Sequence, residues 1–271
     1  MNRAGLVSIT FRNKTPREIV ALMKRAGLSQ VEWGGDVHVK PGAESAAEVR
    51  RMTEGEGLRT SAYGSYYRLE ENAFGPWLDE AEALGAPVIR VWAGRKGSAE
   101  VGEWERETLV HTLNDCVRQA AERNIVVSLE YHPNTLTDSR DSVRRLMRES
   151  ETSFHWQPRW DWPEEERLAA LKEVVPRLTC VHTFTWRHEG KGIVRLPLSD
   201  GAEMWNQVPA SAANAPMLLE FVENDSDEAL LRDAAWLRAI SPPTCALPRR
   251  PTPLSWRSAM FVNGGRRAIS A

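Results

Sequence analysis

The stretch VVSLEYHPNT, residues 126–135, ends an apolar run in Glu130 and His132. Residues two apart on a strand share a face. A carboxylate there is costly to bury unless a positive partner meets it. Three other apolar runs end in a similar way: TSFHWQ (152–157) in His155 and Gln157, LTCVHTFTW (178–186) in His182, and PMLLEFVE (216–223) in Glu220. Carboxylate oxygens suit Mg2+ and Mn2+, and an imidazole widens the choice to Zn2+, Co2+ or Fe2+. Two carboxylates flanking one cation are also placed to move protons. A cation beyond Glu130 would explain why a buried strand ends in an acid. This chemistry requires the four run ends to meet at one place.

The elements that would bring them together are regular. GLVSITF (5–11) reads as a strand, and Thr15-Pro16-Arg17-Glu18 opens a helix with a cap, a first-turn proline and a capping box; Gly27 closes it. The unit repeats as strand 30–34 with helix 43–56, strand 58–64 with helix 71–84, and strand 86–94 with helix 103–123. Strand 125–132 with helix 138–149 and strand 152–157 with helix 163–174 follow, then strand 178–186 with helix 200–213 and strand 216–223 with helix 226–239. Eight such units predict an α/β protein, a single (β/α)8 TIM barrel over 1–240. An open doubly wound sheet would want a glycine-rich turn after the first strand. FRNKTP stands there instead. In a barrel the C-terminal strand ends face one mouth. They also supply Glu32 with His38 nearby, Tyr63, and Arg90 with Trp92.

Composition excludes several classes. The chain has 271 residues, a net charge of −2 and no apolar run near the roughly 20 residues of a membrane span. MNRAGLVSITFRNK is too short in apolar residues for a signal peptide. Cys116, Cys180 and Cys245 form no CxxC pair, which fits a reduced, cytoplasmic chain. Residues 241–271 hold five prolines, five arginines and no acid, which leaves 30 basic against 37 acidic residues over 1–240. That segment is expected to be an irregular or disordered Pro/Arg-rich tail. A nonnative end and a basic functional arm are the other readings.

LVSITFRNKTPREIVALMKRAGLSQVEWGG, SLEYHPNTLTDS, VHTFTW and LLEFVEND resemble the xylose isomerase-like barrel superfamily, and within it the sugar phosphate isomerase/epimerase-like proteins, over about residues 5–240. The resemblance implies one divalent metal (Mn2+, Mg2+, Co2+ or Zn2+) held by Glu130, the sixth strand, His182 and Glu220. The family commonly has an aspartate on the sixth strand, where this chain reads FHWQPRW. Gln157 takes that position as the residue nearest the loop, with His155 as rival, and the neutral ligand predicts weaker metal binding. Glu130 and Glu220 are implied as the catalytic proton carriers beside a metal-polarised carbonyl of a sugar, sugar phosphate or related polyol. Arg90, Trp92, His132, His155, Arg159, Trp186 and Arg187 are implied as substrate-binding, with Trp33 and Trp156 as further apolar walls. Arg90 has a second reading, as a buried structural arginine paired with Glu32 or Glu130. Two alternatives stand beside the isomerase: an inosose dehydratase-like lyase, and an impaired barrel that only binds a small molecule. The DNA-acting endonuclease IV branch needs more metal ligands than six histidines supply. The expected partner is therefore a small carbohydrate, without nucleic acid or membrane. These barrels often pair, so a homo-oligomer is also expected.

Overall fold

A computed structural model describes residues 3–42, 45–71, 73–159, 161–190, 192–212 and 214–241. Eight parallel strands close into a barrel: β1 (Ala4–Val7), β2 (Gln30–Gly34), β3 (Arg59–Arg68), β4 (Val88–Trp92), β5 (Val126–Glu130), β6 (Ser153–Trp156), β7 (Leu178–Thr183) and, after a hairpin, β10 (Met217–Leu219). Neighbours pair in chain order, and β10 closes the ring against β1 with Leu6 beside Leu219. The helices α1 (Pro16–Ala26), α2 (Ala46–Gly55), α3 (Gly75–Ala83), α4 (Glu103–Glu122), α5 (Arg140–Glu149) and α6 (Glu164–Val174) follow the first six strands in turn. The short α7 (Ala202–Trp205) and α8 (Val208–Ser211) precede β10, and α9 (Asp227–Ile240), the last helix among the described residues, packs against α1. Among the described residues no helix is long and apolar enough to cross a membrane.

Local sequence sets these elements. Thr15 caps α1: its hydroxyl accepts from Glu18 N at 3.3 Å, and Glu18 Oε2 accepts from Thr15 N at 2.7 Å. Gly27 ends the helix in the left-handed conformation at φ 66°, a geometry that glycine adopts without steric cost. Thr15→Ala is expected to lower the unfolding free energy by about 1 kcal/mol in a urea titration. Valines, leucines and isoleucines of the strands pack outward against helix residues such as Ile19, Met23, Leu113, Leu146 and Leu171 in one continuous core.

Several segments differ from the sequence reading. The first strand, expected over 5–11, ends at Val7, and Ser8–Phe11 form a 3-10 helix; the last, expected over 216–223, ends at Leu219. The seventh strand ends at Thr183, and the chain then forms an antiparallel hairpin, β8 (Thr185–Glu189) with β9 (Gly192–Leu196). Gly190, at φ 59°, supplies its tight turn. The expected helix 200–213 is two one-turn helices, with Pro209 in the first turn of α8, where its missing N–H cannot continue a helix from α7. β3 also runs four residues beyond Gly64, and its pairing with β4 is irregular between Gly64 and Arg68. Of the expected tail, only Ser241 lies among the described residues.

Candidate metal and active site

The barrel register sets the heights of the inward-facing groups. Glu130 pairs with His155, and His155 with Cys180. Gln157 and His182 lie two residues nearer the mouth, level with Leu218 of β10, and Glu220 lies two residues beyond Leu218. All of these are buried.

Arg90 is the internal cation. Its Nε donates to Glu32 Oε1 at 2.7 Å, and its Nη1 pairs with Glu130 Oε2. Gln157 Nε2 donates to Tyr131 O at 2.7 Å and to Glu130 Oε1 at 3.2 Å. The positive partner at the end of strand β5 is thus a guanidinium from β4, and no metal is needed to account for Glu130 alone. Gly64 makes this possible. A Cβ there would lie 2.5 Å from Arg90 Nη2 and 2.7 Å from Glu32 Oε1. Arg90, held by two carboxylates, has nowhere to retreat. Gly64→Ala is expected to cost about 1–3 kcal/mol in thermal or urea unfolding.

His182 stands between Glu32 and Glu220. Its Nε2 donates to Glu32 Oε2 at 2.9 Å, which leaves Nδ1 as a lone pair. That lone pair faces Glu220 Oε2 at 3.4 Å and Glu130 Oε1 at 3.7 Å. Neither His182 Nδ1 nor Glu220 Oε2 has a hydrogen-bond partner, and both are buried. Acceptors facing acceptors need a cation or a proton between them. Burial opposes charge on His182, but Glu32 and Glu220 outweigh it and raise its pKa well above the usual value. Burial likewise works against ionised Glu32, but His182 and Arg90 prevail and hold it well below the usual carboxylate range. Proton and metal therefore compete for one spot.

The donor set fits a divalent ion. Glu130, His182 and Glu220 bring one ligand atom each to within 4.8 Å of one another. Glu32 behind His182 is the carboxylate that typically fixes the tautomer of a metal-binding imidazole. Gln157, whose amide nitrogen is committed to Tyr131 O, keeps its oxygen as the acceptor.

Above this floor lies a cavity of about 310 Å³. Its wall includes Glu130, Gln157 and Glu220, together with Arg90, Trp92, His132, Arg159 and Trp186 from the expected set. Trp92 lies 4.2 Å from the His132 ring, and Phe184 stacks on Trp186 at 4.2 Å. Arg159 reaches the cavity but is already engaged by Asp161 at 2.6 and 2.8 Å and by Asp138 O at 3.0 Å. His155 and Arg187 are placed elsewhere. His155 is fully buried beneath the cavity, held by Ser128 and Thr179, and Arg187 stands on the exposed hairpin, 3.9 Å from Glu189. Trp33 and Trp156 belong to the apolar core.

Sequence reasoning missed Tyr66 and Phe221 in the wall. Both have left-handed φ, 58° and 57°. Such strain in bulky residues is held by surrounding structure and gathers at functional sites. No residue-type pattern announces it. Phe221 had one weak signal, its place directly after Glu220.

Three comparisons bear on this arrangement. Residues 20–240 match the family described as xylose isomerase-like TIM barrel. A segment of 61 residues is 43% identical to a 3-dehydroshikimate dehydratase of Bacillus anthracis and spans 22% of each protein. Among solved structures, the probable 3-DHS dehydratase of Bacillus anthracis superposes with a TM-score of 0.70 at 18% identity, over 88% of this chain and 98% of that one. A D-allulose 3-epimerase from Methylomonas superposes with a TM-score of 0.67 at 13% identity, over 88% and 97%. A xylose isomerase-like TIM barrel protein from Mycobacterium smegmatis, in complex with magnesium, gives 0.67 at 13% identity, over 88% and 96%. At these identities the structures show the shared fold, while the family match covers most of the chain. The protein belongs to the xylose isomerase-like TIM barrel family.

Proposed function

We propose that this chain is a divalent-metal-dependent isomerase or epimerase of a small polyhydroxylated carbonyl compound, a sugar, sugar phosphate or related polyol. Its key step is removal of the proton α to the carbonyl. The observation that carries this reading is the pair of unpartnered, buried acceptors, His182 Nδ1 and Glu220 Oε2, beneath an aromatic-walled cavity. The metal (Mn2+, Mg2+, Co2+ or Zn2+) would be held by Glu130, Gln157, His182 and Glu220, and when bound it polarises the substrate carbonyl. Glu220 would take the α-proton on Oε1, leaving Oε2, the oxygen that faces His182 Nδ1, for the metal. In an epimerase Glu130 would begin the turnover protonated and give that proton to the opposite face, while Glu220 keeps the one it removed, so that the two exchange protonation states. Trp92, Trp186 and Phe221 pack on the sugar face. His132, with Nδ1 spent on Pro133 O at 2.7 Å, keeps Nε2 for a substrate hydroxyl.

One observation favours elimination as a second reading. Glu130 is committed to Arg90 and Gln157, so the two carboxylates are unequal. Epimerisation wants a proton carrier on each face. Loss of water needs one base and a hydroxyl that can depart protonated. The similarity to dehydratases supports this outcome. Action in cytoplasmic carbohydrate metabolism, and as a homo-oligomer, are parts of the same proposal.

The test uses the full chain stripped with chelator and reloaded with each metal in D2O. Ketoses, ketose phosphates, inosose-type ketones and 3-dehydroshikimate are offered, and NMR reads the product. Metal-dependent deuterium at the α-carbon is expected, with an epimer or isomer from the first reading and a dehydrated product from the second. Substrate binding without exchange under any metal would overturn both readings and leave the small-molecule-binding barrel.

A further inference from the structure

Beneath the candidate active site, His155 is held at one ring nitrogen and open at the other. Its Nδ1 lies 2.8 Å from Ser128 Oγ and 2.9 Å from Thr179 Oγ1, two hydroxyls that also face each other at 2.7 Å. Its Nε2 stands 3.2 Å from Glu32 Oε2 and is buried without an aligned hydrogen-bond partner. At full burial a proton or a cation belongs between that nitrogen and the carboxylate.

A third donor completes the set. Cys180 lies beside His155 in register and is 1% exposed. Its sulfur, Glu32, His155 and His182 bring ligand atoms within 4.8 Å of one another. Two donors each bonded to a tetrahedral zinc at about 2.0–2.1 Å stand roughly 3.3 Å apart. The 3.2 Å between His155 Nε2 and Glu32 Oε2 matches that span. His182 differs, since its 2.9 Å contact to Glu32 is already a hydrogen bond.

We propose that the barrel interior holds a second cation site, distinct from the one at the mouth, formed by Glu32, His155 and Cys180 and walled by His182. A thiolate with an imidazole selects zinc or cobalt(II), whereas magnesium prefers oxygen donors only. Ligation requires the thiolate, so uptake of the ion releases the Cys180 proton. Ion, thiolate and Glu32 carboxylate sum to zero, which makes the set compatible with full burial. The mouth site, richer in carboxylate, remains the harder of the two. The inner site does not depend on the proposed reaction.

The experiment titrates cobalt(II) into the chelator-stripped full chain and follows the near-ultraviolet thiolate-to-cobalt charge-transfer band. One equivalent of cobalt should raise that band in the native chain, a large excess of Mg2+ should not remove it, and Glu220→Gln should keep it. Cys180→Ser should lose the band and His155→Gln should shift its saturation at least tenfold, with circular dichroism confirming their fold. X-ray absorption on the zinc-loaded native chain needs no variant, and should show one sulfur at about 2.3 Å. A native chain that binds cobalt without the band, a band that survives Cys180→Ser, or a zinc shell without sulfur would each overturn the inner site. Loss of activity with the band intact would instead count against the reaction alone.

Discussion

Arg90→Met is expected to lower the unfolding free energy by about 3–5 kcal/mol, the usual cost of removing one partner from a buried ion pair. Arg90 is 2% exposed and bridges two buried carboxylates, Glu32 and Glu130. Methionine fills similar volume, so the loss reads charge more than packing. Arg90→Lys should recover little, because a point charge cannot span both acids as the planar fork does. Arg144→Met is the control. Arg144 pairs with Asp141 and Glu173 at 44% side-chain exposure, where such pairs contribute about 0–1 kcal/mol. The pH dependence follows from Glu32. Its folded pKa is depressed, so its contribution is present above the unfolded value of about 4.3 and is lost as pH falls through the folded one. Without Arg90, one of the two charges that hold it down is gone, and acid unfolding should begin at higher pH. A urea midpoint for Arg90→Met within experimental error of the native chain would refute this role for the ion pair.

The same residue shows where sequence reading stops. The capping box of α1, the order of strand and helix, and the convergence of Glu130, His182 and Glu220 all rest on short-range patterns that survive into the fold. Pairing between Arg90 and Glu32 joins positions 58 apart and depends on Gly64 leaving space between them. Sequence could offer that pairing only as one option. His155 and Gln157 posed a different problem. Two residues apart, they share a face, so periodicity cannot say which reaches the mouth. The fold puts Gln157 in the cavity wall and His155 beneath it. The hairpin β8–β9 was hidden because its first strand continues the apolar run of β7 after only Phe184. Tyr66 was hidden because left-handed strain is a property of the closed barrel.

Glu220→Gln should slow α-proton exchange by about 10²–10⁴-fold, the range for loss of a general base. The substitution keeps size and one acceptor oxygen but removes the charge that faces His182 Nδ1. It should therefore also weaken metal retention. The two effects separate by titration: at saturating metal, binding is restored while the rate stays low, since an amide cannot take the proton. Glu130→Gln should behave differently. Glu130 is tied to Arg90, so its neutral form leaves that guanidinium short of an acceptor and lowers stability, while the exchange rate at saturating metal falls less than in Glu220→Gln. If the two variants lose exchange equally at saturating metal, the carboxylates act as equivalent carriers and epimerisation gains over elimination. If only Glu220→Gln is slow, one base suffices, and the inequality imposed by Arg90 is built into the reaction.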